Sequence, residues 1–130
     1  TLYLLLSMFL SLVACSEKEV PSPTATFNLE AIKQSAWKGT VAVNRIKDTT
    51  VYDLGILFTT ASSGSYELVG GSGHNFNYAI DGKLLAISGY YAGTLAGEWM
   101  VIAFSGDKLL MKAGLYSEHF NKILTLERSY

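Results

Sequence analysis

Two histidines, His74 and His119, and a single cysteine, Cys15, are the side chains best suited to act as bases, thiolates or soft metal ligands near neutral pH. Each histidine stands at a predicted turn or strand edge close to an asparagine, Asn75 or Asn121. A site joining both to Glu98 or Glu118 is conceivable, but the expectation is that the histidines are exposed turn residues. There is no Cys–His pair and no zinc-ligand spacing. Ser62, Ser63, Ser65 and Ser72 fall in Gly/Ser turns without a nucleophile-elbow pattern. The stretch GGSGH at 70–74 lacks the helix and the Lys-Ser/Thr that a phosphate cradle needs. A Ser-His-Asp triad requires no adjacency in sequence, so a hydrolase stays as a third reading behind two non-catalytic ones. The expectation is a protein that is not an enzyme, with no cofactor and no metal.

The more informative chemistry is aromatic. GYYAGTLAGEW, 89–99, interrupts the rhythm of the surrounding hairpins and sets Tyr90 and Tyr91 between glycines. A tyrosine offers a flat apolar face and a hydroxyl, which together suit an apolar or sugar-like ligand. With Phe76, Tyr78 and Trp99, these two residues form the expected ligand site at an open barrel end. The competing expectation is a tyrosine folded back over a core with no cavity. Surface loops would then dock onto another envelope protein.

Cys15 has a chemistry of its own. The run Leu2–Val13, LYLLLSMFLSLV, carries no charge. It is short of the ~20 residues that span a bilayer but suits the core of a secretory signal. No basic segment precedes it, so the sequence is expected to begin partway into that signal. Leu12-Val13-Ala14-Cys15 resembles the bacterial lipobox, which implies cleavage after residue 14 and lipidation of Cys15. Several acyl chains, at ~0.8 kcal/mol per buried CH₂, would anchor the protein in a membrane. Ser16 departs from the inner-membrane retention residue of the best-known sorting rule, which points to the outer membrane. The polar stretch SEKEVPSPTAT reads as a solvated tether, giving a division into signal (1–14), lipidated tether (15–34) and folded body (35–130).

Acidic and basic residues balance one for one from Ser35 onward, and they are scattered. Nucleic-acid binders concentrate basic residues to displace counterions, so nucleic acid is not an expected partner. The body must position its aromatics with strands. Short apolar segments recur every 8–12 residues, broken by Ser62-Ser63-Gly64, Gly70-Gly71-Ser72-Gly73, Asp81-Gly82 and Gly106-Asp107. Tyr52, Leu54, Ile56 and Phe58 share a face against Asp53, Gly55 and Thr59, and Phe76, Tyr78 and Ile80 share one opposite Asn75 and Asn77. Trp99 to Phe104 is apolar on both faces. Asn28 is a predicted N-cap for a short helix over 29–36. The expected fold is all-β, a small antiparallel up-and-down eight-stranded barrel, because closure removes exposed sheet edges.

Trp37 opening the first strand, the hairpins YAIDGKLLAI and VIAFSGDKLLM, and a last strand ending LTLERS resemble the small lipocalin-like lipoproteins of Bacteroidota, within the calycin group. The acidic Glu17 and Glu19 after the cysteine resemble the tethers of surface lipoproteins from that phylum. In lipocalins an arginine near the last strand packs across the Trp of a Gly-x-Trp motif. The resemblance therefore implies that Trp37 and Arg128 close the barrel, although Ser35 stands at the Gly position and a glycine instead follows at Gly39.

Overall fold

Alternating inward and outward side chains produce eight strands: β1 (Ser35–Arg45), β2 (Thr49–Phe58), β3 (Ser63–Leu68), β4 (Gly73–Asp81), β5 (Leu84–Ser88), β6 (Gly97–Phe104), β7 (Lys108–Ala113) and β8 (Phe120–Arg128). They come from a computed structural model that describes residues 26–114 and 119–130. Cys15, the signal and most of the tether lie outside the described residues, as does Glu118. Each strand pairs antiparallel with the next, and β8 returns to β1 to close the barrel. The architecture is the all-β, up-and-down barrel that the hairpin spacing predicts.

The β1–β8 seam runs from Trp37 opposite Arg128 to Arg45 opposite Phe120. Its tightest point is Gly39, where a Cβ would come within 1.9 Å of the Thr125 carbonyl oxygen. Only a residue without a side chain permits that approach. The glycine that departs from the lipocalin spacing thus has its own structural reason.

Inside, Val41, Leu85, Leu95, Trp99, Met111 and Leu124 are all 0% exposed. A void able to hold water would leave accessible surface on the residues around it, so none lies against these six. At about 25 cal/mol per Å² and 150–250 Å² per ring, each buried tryptophan contributes about 4–6 kcal/mol of burial.

Two local departures from simple alternation shape the barrel. In β6 the register with β7 shifts between Val101 and Ala103, a β-bulge at Ile102. Ile102 and Ala103 both face out, and Phe104 turns into the core. This resolves the doubly apolar strand seen in the sequence. The second departure is at the start of the body. Asn28 caps helix α1 (Leu29–Ile32) by accepting from the Ala31 N–H at 2.9 Å. Ile32 is buried in the core, and Phe27 meets Phe104 edge-on at 5.5 Å. The folded unit therefore takes in residues 27–34, which the sequence reads as the end of the tether.

Candidate functional site

The residues expected to form one ligand site separate into two groups. Phe76, Tyr78 and Trp99 are core residues. Phe58 packs edge-on against Phe76 at 5.8 Å and Tyr78 at 5.0 Å. The Tyr78 hydroxyl donates to the Thr60 carbonyl at 2.5 Å, and burial raises its pKa. These side chains are consumed by packing, because inward positions on neighbouring strands of so small a barrel meet across its axis. Tyr90 and Tyr91 are instead 92% and 61% exposed. Their rings meet edge-to-face at 4.8 Å.

Neither tyrosine folds back over the core. Ala92 and Leu95 do so, both fully buried, within a turn that includes the 3₁₀ segment Gly93–Leu95. Three side chains hold this plug. Trp99 Nε1 donates to the Leu95 carbonyl at 2.8 Å. Lys122 Nζ donates to the Thr94 carbonyl at 2.7 Å and the Ala96 carbonyl at 3.2 Å, while lying 5.4 Å from the Trp99 ring centroid. Burial lowers the Lys122 pKa. Tyr66 reaches the same turn from inside: burial raises its pKa, and a hydrogen bond with the Thr94 backbone partly offsets this. A Cβ on Gly93 would sit 2.7 Å from the Tyr66 hydroxyl, and its φ of +53° disfavours any side chain. The plug is thus built around that glycine.

The opposite end is closed by α1. The Arg128 guanidinium lies 5.3 Å from the Trp37 ring centroid, inside the ~6 Å range of a cation–π contact. Arg128 Nη1 also donates to the Ala31 carbonyl at 3.2 Å. Trp37 Nε1 donates to Ser35 Oγ at 2.7 Å, and Ser35 Oγ in turn donates to the Ile32 carbonyl. Ser35, at the lipocalin Gly position, therefore links the tryptophan to the helix.

Outside the barrel, the tyrosine pair borders a cleft of about 410 Å³ over β3 and β4. Thr59, Ser63, Asn75 and Asn77 contribute its polar wall, and Phe76 lies beneath it. Register sets Asn77 between Ser63 on β3 and Ser88 on β5, and Asn75 opposite Ser65. Outward neighbours at such positions have Cβ atoms ~4.5–5.5 Å apart. The Asn75 and Asn77 carboxamides make no hydrogen bond with other described residues. In the sequence these asparagines register only as the polar half of an alternating strand, so their convergence on the tyrosines has no local signal. Elsewhere, a groove of about 860 Å³ lies over the outer face of β1, β8, β7 and β6, bordered by Thr40, Ile102, Leu110 and Thr125, with Lys38, Lys108 and Glu127.

His74 stacks obliquely against Tyr66 at 5.6 Å. Among the described residues, no three His, Cys, Asp or Glu side chains are grouped to hold a metal ion. Compared with protein-family models, with curated proteins and with solved structures, the chain matches none of them.

Proposed function

We propose that this protein is a non-catalytic binding module, lipid-anchored through Cys15 in a bacterial outer membrane, that uses the outer surface of a filled barrel. The observation that carries this reading is the interior, where Val41, Leu85, Leu95, Trp99, Met111 and Leu124 have no exposed surface. With side chains occupying the axis, a small ligand would be met outside, and the Tyr90–Tyr91 cleft combines aromatic faces with exposed polar side chains. The kinship with lipocalin-like lipoproteins of Bacteroidota rests on the motif around Trp37 and on LTLERS at the other end of the seam.

The test is an ¹⁵N NMR titration of the whole chain with the small-molecule fraction of the source bacterium's envelope. The reading expects shifts at Asn75, Asn77 and Gly89 to Tyr91. Movement of the Trp99 indole and Val41 signals, or no shift anywhere, overturns it. For the anchor, Cys15→Ser is expected to move the protein from the membrane to the soluble fraction, and unchanged fractionation counts against lipidation.

A second reading, docking onto an envelope protein, is favoured by the groove over β6, β7, β8 and β1. Half-exposed Ile102 and partly exposed Leu110 give it an apolar floor beside Lys38, Lys108 and Glu127. Broadened signals at Ile102, Leu110 and Thr125 on adding the envelope's protein fraction would favour this reading over the first.

A further inference from the structure

The Tyr90–Tyr91 cleft is polar but uncharged. Its lining contains no charged side chain. That composition offers a phosphate or a carboxylate no counter-charge. Nor does the cleft suit an extended peptide, because all eight strands are paired and the closed barrel has no free edge onto which a strand could add. What it offers is two carboxamides, neighbouring hydroxyls and two aromatic rings.

A carboxamide carries an acceptor oxygen and a two-proton donor side by side. One asparagine can therefore accept from one hydroxyl and donate to its neighbour, the arrangement a vicinal diol requires. Asn75 and Asn77 point outward two residues apart on β4 and hold this capacity unspent. The tyrosine rings supply the complementary element, a flat apolar face for the C–H side of a ring. The turn that carries them is tied to the barrel through Leu95, Thr94 and Ala96, so the chain leading away from Tyr91 is held in place. Preorganisation of this kind reduces the entropy lost on binding. A volume of about 410 Å³ falls in the range of small-ligand sites, ~300–1,000 Å³.

We infer that the cleft between the Tyr90–Tyr91 pair and the outer face of β3 and β4 binds a neutral sugar, with a pyranose ring against tyrosine and its hydroxyls on Asn75 and Asn77. This rests on the proposal that the barrel binds with its outside. It adds the ligand class.

The experiment is an ¹⁵N NMR titration of the whole chain with five defined probes: cellobiose, maltose, xylobiose, mannobiose and N,N′-diacetylchitobiose. At least one is expected to shift the Asn75 and Asn77 side-chain amides and the Tyr90 and Tyr91 backbone amides saturably in the millimolar range. The Trp99 indole signal stays fixed. Tyr90→Ala/Tyr91→Ala and Asn77→Ala should each weaken that affinity at least ~10-fold, about 1.4 kcal/mol, with the other backbone signals unchanged. Absence of shifts with all five probes overturns the inference, as does sugar binding that survives both variants. If the sugars fail while the envelope extract still shifts the cleft, the sugar inference falls and binding by the outer surface stands. If the extract moves buried Trp99 and Val41 instead, both fall.

Discussion

The two ends of the barrel solve one problem with different pieces of chain. At each end a buried tryptophan lies against a cation, at 5.3 Å for Arg128 on Trp37 and 5.4 Å for Lys122 on Trp99. Each cation also donates to backbone carbonyls of the element that covers the core. At the first end that element is α1, ahead of the first strand. At the other it is an internal turn whose Ala92 and Leu95 go in while Tyr90 and Tyr91 stay out. The first closure joins the helix ahead of β1 to β8. The second also holds up a pair of exposed aromatics. Shared closure chemistry therefore does not mean a shared role, and the tyrosines of the candidate site stand on the second end.

The comparison breaks most sharply at the tryptophans. Trp37→Ala and Trp99→Ala are each expected to destabilise the barrel by about 3–5 kcal/mol, read from urea denaturation. A near-neutral effect at either position would show that its end is not closed by the ring. Only Trp99→Ala should also speed amide exchange across Gly89 to Ala96, because it removes the Leu95 tie.

Replacing the cations gives the next largest effect. Arg128→Met and Lys122→Met keep much of the aliphatic stem and lose the charge, so each should cost about 1–2 kcal/mol from the ring contact and the carbonyl bonds. Equal losses would make the two closures energetically interchangeable. A Lys122→Met protein as stable as the parent would remove the lysine from the second closure.

The smallest effect is in pH, and it concerns the second end. Burial holds the folded-state pKa of Lys122 below its ordinary value of 10.5. Between the two values the unfolded chain binds more protons, so stability rises with pH. Buried Tyr66 and Tyr78, with raised pKa values, act in the opposite sense above the ordinary tyrosine value of 10.0. The parent should therefore gain stability on Lys122→Met as pH climbs towards that value, while its difference from Arg128→Met stays level. Parallel melting-temperature profiles for all three proteins would rule out a titrating lysine at the second end.

These contrasts also mark what is legible in the sequence. Strand number and order follow from alternation and turn residues, because period-two patterns are local. The Trp37–Arg128 contact follows from a resemblance that names both partners. Trp99 and Lys122 form the same kind of contact, but nothing local relates a tryptophan at the start of β6 to a lysine on β8. The plug is hidden for another reason. Ala92 and Leu95 are inconspicuous beside two tyrosines, yet the smaller side chains fit the filled interior and the aromatic ones remain outside. Phe27 and Ile32 were likewise masked by the polar stretch that precedes them. The bulge escaped because an extra residue in an apolar strand looks like a strand buried on both faces.

That bulge gives β6 a counting frame. Downstream of Ile102 every side chain faces as it does because one residue is passed over. Removing Ile102 would restore strict alternation and leave Phe104 facing in, against Phe27 and Trp37. Swapping Ile102 for another side chain leaves the count intact. Loss of Ile102 should therefore be the best tolerated single deletion within β6, an outcome that a deletion scan reads and a substitution scan passes over.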